Sequence, residues 1–553
     1  MNKREIAFVV LVVLLAALAL AFYPTAPRGE IVRPTVADWS TVTDDPAKRL
    51  TLSWTGPPVF PTARKGTWIE ANLEQRFNVD FQPVFMDWRS FQSRRSLMFS
   101  GGDISDVSWD GDPLPLRRYI KHGLTLEIPY EVILKYAPNY VKLLNRIGRV
   151  AWLYSSYAGH NYGLPTFGVV GAYSCPGVWR MDWLRKVGIS KVPETVAEMH
   201  TALLKIHQSD PSGTGVGSVS GMCPVTYWSV MFVDVFSAHN ILPADFILRD
   251  GKVVWGGVQP EAKQVLTLLR QWYLEGLIDP DFVAGTTGAN LADDKFTNGK
   301  TAYLDNYKCW DDFDLTNPNS FYSKMRQIYP TAELAPSAAL IGPDGKHHGR
   351  VWGGGGNIVW FGAKVAQHPE KVIRVLRMFE AYAIDPQLYI ESRMGKRGLH
   401  WEWSPQRGIY MLPPYDQPEA DTRNLIAVRA LEVGFGFYSC CSAPSEFTRA
   451  LLPAGKEAFR QRYGNPEWGI QSAIGKSDTA ESAGDYLEDL WQYQMTNYIQ
   501  FIRGDRPLRE FDDYVKEWNQ RGGAQMTHEA NAKYRELQKI SRLVGADDPG
   551  GGP

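Results

Sequence analysis

Apolar residues in this chain follow two rhythms, one of about two positions and one of about three to four, and the two alternate from Leu50 onward. Leu50-Thr-Leu-Ser-Trp54 alternates as a strand and runs into the loop Gly56-Pro57-Pro58. Trp68 to Phe77 carries helical spacing, Val79 to Val84 is extended again, and Phe91 to Met98 is a second helix ended by Gly101-Gly102. Asp103 to Asp110 supplies a third extended piece. A strand-helix-strand-helix-strand order predicts an α/β domain with a mostly parallel sheet.

Further along, local chemistry marks the element ends. Thr195 with Glu198 makes a capping box for a helix whose buried face is Val196, Met199, Leu203 and Ile206. Asp250-Gly251 signals a tight turn between two extended pieces. Pro260 suits a first helical position and Glu261 complements the helix dipole. Val265, Leu268, Leu269 and Trp272 then form the apolar stripe, and Gly276 stops that helix in a left-handed cap. Val372, Val375, Leu376 and Phe379 mark a later helix after Pro369-Glu370, and Phe511, Tyr514, Val515 and Trp518 mark another. Two glycine runs, Gly213 to Gly217 and Gly353 to Gly356, read as structural turns, because neither ends in the Lys-Ser/Thr of a phosphate loop.

Composition narrows the partners. A chain of 553 residues has room for two or more domains. Its 59 basic and 60 acidic residues balance to −1 with no polybasic stripe, which argues against nucleic acid. Most of the 19 Trp and 26 Tyr belong in cores, but such a supply also suits stacking on flat sugar faces. Lys3 and Arg4 before the apolar run Ile6 to Phe22, with Ala19-Leu20-Ala21 at its end, predict a signal peptide or a retained anchor, and export in either case. The first Cys is Cys175, so a lipid-modified Cys just after the apolar run is not expected. Five Cys are too few for a disulfide framework in this length.

Motifs of catalysis are missing where they would be looked for. There is no Gly-x-Ser-x-Gly elbow and no His-Glu-x-x-His pair. His347-His348 falls in a Gly-Pro-Asp-Gly turn and reads as solvated. Asp110 with Asp112, Asp293 with Asp294, and Asp311, Asp312 and Asp314 read as loop caps or solvated faces. Glycoside hydrolysis needs only two facing carboxyls, so a secreted carbohydrate-active enzyme stays as the alternative. A membrane-tethered solute sensor is a second one.

The order of these pieces resembles the extracellular solute-binding proteins of ABC importers, in the branch associated with oligosaccharides. The residues that carry it are Gly102-Asp103-Ile-Ser-Asp106-Val107, Gly159-His-Asn-Tyr162-Gly163-Leu164-Pro165, Trp179-Arg-Met-Asp182-Trp183, the whole Arg249 to Tyr303 stretch, and Tyr498-Ile-Gln-Phe-Ile-Arg-Gly504. Together they cover roughly Leu50 to Leu537. The resemblance implies an α/β, two-lobed periplasmic binding protein fold of the type II-like kind, with a ligand cleft between lobes joined by a hinge. It divides the chain into a leader (1–22), a tether (23–49), lobe 1 (50–165), lobe 2 (166–308), a return to lobe 1 (309–400), a C-terminal helical segment (401–544) and a tail (545–553).

By position in such a fold, the ligand-facing loops are those of Trp54; Trp109 and Asp110; Tyr227 and Trp228; Asp305, Asn306 and Tyr307; and Trp352, with Arg397 and Trp401 approaching the cleft. The family often carries an acidic calcium loop after the Val196 helix. Here Ser212, Thr214 and Val216 replace its carboxylates, so no calcium, no other metal and no cofactor is expected. The implied function is capture of a carbohydrate, an oligosaccharide, by a monomer in the periplasm or at the outer face of the cytoplasmic membrane. Delivery would be to ABC permease subunits.

Overall fold

The computed structural model describes residues 34–56, 65–86, 90–172, 177–224, 231–283, 289–305, 308, 310–416 and 454–546. The leader expected at 1–22 lies outside them. Among the described residues no helix is long and apolar enough to cross a membrane.

Two sheets organise the chain. In the first, strands Leu50–Thr55, Val79–Pro83 and Val107–Asp110 run parallel, with Leu50–Thr55 between the other two. Gly349–Phe361 pairs antiparallel with the 107–110 strand, through Val359↔Trp109 and Trp360↔Ser108. In the second sheet, Ser220–Cys223 and Thr301–Leu304 run parallel, while Val178–Arg180 and Leu334–Pro336 complete it antiparallel. Each sheet is covered by helices, which is the α/β layering that the alternating rhythms predict.

The expected elements form where their chemistry places them. Thr195 and Glu198 close a reciprocal capping box, and Met199, Leu203 and Ile206 of helix Val196–His207 are buried. Asp250 and Gly251 both take positive φ (48° and 74°), the two-residue hairpin turn that joins Phe246–Arg249 to Lys252–Trp255. Helix Pro260–Leu274 buries Val265, Leu269 and Trp272, and Gly276 ends it at φ 76° as the Leu277 N–H returns to the Trp272 carbonyl.

One expectation needs correction. Gly353 to Gly356 is no turn: it lies inside the long strand Gly349–Phe361, paired antiparallel with Gly163–Ala172. The ladder shifts register between Gly353 and Gly355 and again before Ile358, so the glycines absorb bulges within extended chain. Gly355 also permits close approach, since a β-carbon there would lie 2.8 Å from the Tyr154 ring.

This pair of strands is one of the links between the lobes. Ile358 to Phe361 belongs to the first sheet, while the chain beyond Ala172 continues into the Val178–Arg180 strand of the second. A third crossing leaves strand Gly469–Ile470, which pairs with Gly349 and Arg350. It is then stitched to the 246–255 hairpin through Ala473 N–H to the Phe246 carbonyl (2.7 Å). Helix Ala483–Arg503 follows and packs on helix 260–274.

Residues 34–49, placed in the tether by sequence, lie along lobe 1. Asp44 accepts from Nε and Nη2 of Arg374 (2.9 and 2.7 Å), and the same guanidinium serves the carbonyls of Phe77, Asn78, Asp45 and Lys48. Both partners are buried, and Tyr136 adds a bond to the Val42 carbonyl. Removing one member of such a pair strands the other's charge in low dielectric. Asp44→Ala should therefore lower unfolding stability by about 3 kcal/mol. Urea unfolding of wild type and variant checks this, and a loss below about 1 kcal/mol would show the segment to be loosely held.

Candidate functional site

In open α/β sheets ligands bind beyond the carboxyl ends of the parallel strands. In lobe 1 that edge is formed by Trp54-Thr55 and by Trp109-Asp110-Gly111, and in lobe 2 by the residues after Cys223 and Leu304.

Trp109 is half-buried, set edge-on against Phe91 at 6.1 Å. Asp110 behind it is fully buried. Arg95 Nη1 lies 2.6 Å from its Oδ1, and Trp360 Nε1 donates to its Oδ2 at 2.7 Å. Arg95 also donates to the Trp109 carbonyl (3.1 Å) and sits over the Phe91 ring. Burial pushes the Asp110 carboxyl up to about 6, against the pull of Arg95 and the Trp360 bond. Next to it, Tyr119 stacks on Trp360 at 5.3 Å, and burial raises its phenol to about 12. Asp110 thus acts from behind, fixing the strand end that presents Trp109.

The remaining expected positions are spread more widely. Trp54 is buried in the lobe 1 core against Phe81 (5.8 Å, edge-on). Trp352 lies on the inter-lobe strand pair opposite Gly171. Trp401 is buried and donates to the Gly395 carbonyl (2.8 Å), while exposed Arg397 pairs with Glu402 (3.1 Å). Their hairpin joins helix Trp68–Phe77 through the Trp68–His400 ring contact. Tyr227, Trp228, Asn306 and Tyr307 lie outside the described residues. Asp305 is fully buried directly after its strand, beside Asp234 of helix Val233–Ala238.

Sequence reasoning missed Arg95, Trp360, Asp234 and Tyr154. A signal existed for Arg95: it sits one helical turn from both Phe91 and Phe99, in an otherwise apolar stripe of helix Phe91–Ser100. Tyr154 had none, because its role comes from distant glycines. Its ring is wedged between Gly355 of the inter-lobe strands and Gly475 of the third crossing, where β-carbons would each lie 2.8 Å from a ring carbon. Lys476 caps the same ring at 5.3 Å, and its ammonium bonds the Gly111 carbonyl and Asp112 (2.9 Å). Arg117 holds the next turn through the carbonyls of Asp478 and Ala480.

The loop expected to lack calcium closes on itself with hydroxyls. Asp210 Oδ1 accepts from the Thr214 N–H (2.9 Å) and Ser212 Oγ (3.2 Å), and Thr214 Oγ1 pairs with Ser218 Oγ (2.6 Å). Among the described residues no group of three or more His, Cys, Asp or Glu side chains is placed to hold a metal ion.

Comparison with known proteins agrees with this architecture. No family model matches the chain. It is 27% identical over 285 residues to the fructooligosaccharide ABC transporter substrate-binding protein FusA of Streptococcus pneumoniae, covering 48% of this chain and 49% of FusA. The match thus spans about half the length of that relative. Lipoprotein LipO of Bacillus subtilis is 22% identical over 523 residues, 92% of each chain. Among solved structures, the calcium-free alginate-binding protein AlgQ2 superposes with a TM-score of 0.59 (19% identity, 89% of this chain and 99% of that one). The HMO-binding ABC-transporter-associated solute-binding protein of Bifidobacterium longum infantis reaches 0.61 (16% identity, 91% and 99%). The fold is that of the two-lobed solute-binding proteins. In sequence the chain is similar to FusA over about half its length and to LipO over nearly all of it.

Two outcomes follow from the site. A carboxyl raised in the folded state binds its proton more tightly there than in the unfolded chain, so Asp110 contributes stability below about pH 4 and loses it as pH rises toward about 6. Asp110→Asn should flatten that decline by up to about 3 kcal/mol, whatever its absolute stability. Buried Asp478, also raised to about 6, keeps its own share in the variant. Melting curves from pH 4 to pH 7 decide it, and parallel slopes in the two proteins would contradict the assignment. The hydroxyl-closed loop predicts that neither a chelator nor added calcium moves the melting midpoint, and a calcium-dependent shift would refute that closure.

Proposed function

We propose that this protein is the capture component of an ABC importer, which takes up an oligosaccharide between its lobes and hands it to a membrane permease without changing it. The observation that carries this is the pairing of Gly163–Ala172 with Gly349–Phe361, which, with the strand Gly469–Ile470, links the two α/β sheets through three chain crossings. A ligand touching both edges at once favours the closed arrangement, since it binds that state better than the open one. FusA and the HMO-binding protein, named for oligosaccharides, support the ligand class. The lipoprotein relative supports an exported location.

Half-buried Trp109 offers an aromatic plane for a sugar face, held from behind by Asp110 and Arg95. That ion pair is already committed to Trp360 and to the backbone, which leaves Asp110 poorly placed as a catalytic acid. Trp109→Ala should weaken sugar binding by about 1–3 kcal/mol with the fold retained.

Melting of the full-length protein against a panel of mono- and oligosaccharides tests the reading, with each mixture analysed afterwards for product. A ligand at 100 times its dissociation constant adds about 2.7 kcal/mol to stability, a readily visible shift. A shift with the sugar recovered intact is expected. Appearance of product would replace the capture reading with a hydrolase.

A further inference from the structure

Trp109 stands where the lobe 1 sheet stops holding the chain. The ladder to strand Leu50–Thr55 ends at Thr55↔Ser108, and the ladder to Gly349–Phe361 ends at Ile358↔Asp110. Gly111 is the first residue past both. The six-membered ring of Trp109 lies back over it, since a β-carbon at Gly111 would come within 3.4 Å of Cη2. The angle at which the indole faces outward thus depends on where the Gly111 backbone is held.

That backbone is held from the third crossing. Lys476 Nζ donates to the Gly111 carbonyl and to Asp112 Oδ1 (2.9 Å). Asp112 stands at the N-cap position of helix Pro113–Lys121 but makes no side-chain cap bond, although an aspartate is well suited to cap there. Its carboxylate is committed to the ammonium instead. With Asp112 62% exposed, this ion pair adds little to stability; what it does is fix a geometry. Lys476 is itself fixed from several sides. Its ammonium lies 5.3 Å from the Tyr154 ring, and Gly475 before it takes φ 77° against the same ring. Ser477 after it reaches Asp245 Oδ1 at 3.3 Å, just ahead of the hairpin strand Phe246–Arg249. Arg117 clasps the carbonyls of Asp478 and Ala480.

We propose that Lys476 is a positioning residue for the sugar-facing plane of Trp109. It acts through the indole and not on the ligand, by tying the Gly111 backbone to the crossing that continues into lobe 2. This rests on the carbohydrate-capture reading above, with Trp109 as its stacking plane. A donor at position 476 keeps the ring ready at the angle a sugar face meets. Without it the Gly111 peptide can rotate and the ring can turn, so binding must also order the platform.

The test combines a fluorine spectrum with calorimetry, both on the full-length protein. After labelling with fluorotryptophan, the line lost in Trp109→Phe identifies Trp109. Lys476→Met keeps the side chain's length and its contact with Tyr154 while removing the donor. It should move or broaden that line and leave the core indoles unchanged. Lys476→Arg, which can still donate to a carbonyl, should hold the line in place. Lys476→Gln, a shorter polar side chain, serves if the methionine variant does not fold. The sugars are kestose, maltotriose, cellotriose and the N-acetylglucosamine trimer. Lys476→Met should weaken those that wild type binds by about tenfold. In a Trp109→Ala background the same change should lower affinity by less than about twofold, because residues acting through one contact are not additive. Full additivity, an unmoved Trp109 line or unchanged affinity each overturns the proposal and leaves carbohydrate capture standing. Binding of none of the four sugars overturns both.

Discussion

The antiparallel pairing of Gly163–Ala172 with Gly349–Phe361 is the constraint on which the rest of the molecule depends. One end of the 349–361 strand is locked into the lobe 1 sheet beside Trp109, so the ladder fixes where the chain leaves that lobe. The other end pairs with Gly469–Ile470 and so fixes where the third crossing begins. Bulges at Gly353 to Gly355 and before Ile358 let this ladder change twist between the lobes without losing its register at either end. Tyr154 binds the crossings into one unit, because its ring fills space that any side chain at position 355 or 475 would claim.

Electrostatics divides along the same boundary. Lobe 1 compensates its buried acids internally: Arg95 serves Asp110, and Arg374 serves Asp44. Lobe 2 leaves Asp234 and Asp305 with a phenol, a backbone N–H and each other. Lobe 1 thus meets its buried acids with guanidinium groups, and lobe 2 with hydrogen bonds.

Much of this was legible in the chain because it is local. The Thr195–Glu198 box, the Asp250-Gly251 turn and the Gly276 cap depend on residues within one turn of each other, and each formed where its chemistry indicates. The two-lobed arrangement was legible through the order of such pieces. What sequence concealed is long-range. Gly353 to Gly356 reads as a turn until its partner strand, far away in sequence, supplies the ladder. Residues 34–49 read as tether because the guanidinium that holds them belongs to Arg374. For Trp54, alternation showed that the side chain lies on a strand, but packing against Phe81 from the neighbouring strand determines the face. Arg95 was within reach of sequence reasoning, as a lone charge in an apolar stripe.

The clasp of Arg374 on Asp44 bears on how the molecule handles force. Any pull applied through the chain ahead of Pro34 reaches the body first along the 34–49 segment, which is fastened to lobe 1 by a guanidinium gripping a carboxylate and four carbonyls. That load enters the helix Glu370–Ile384 and the sheet beneath it, and bypasses the inter-lobe strands. Lobe 1 is therefore the mechanical ground of the molecule, the part through which such a load would be borne.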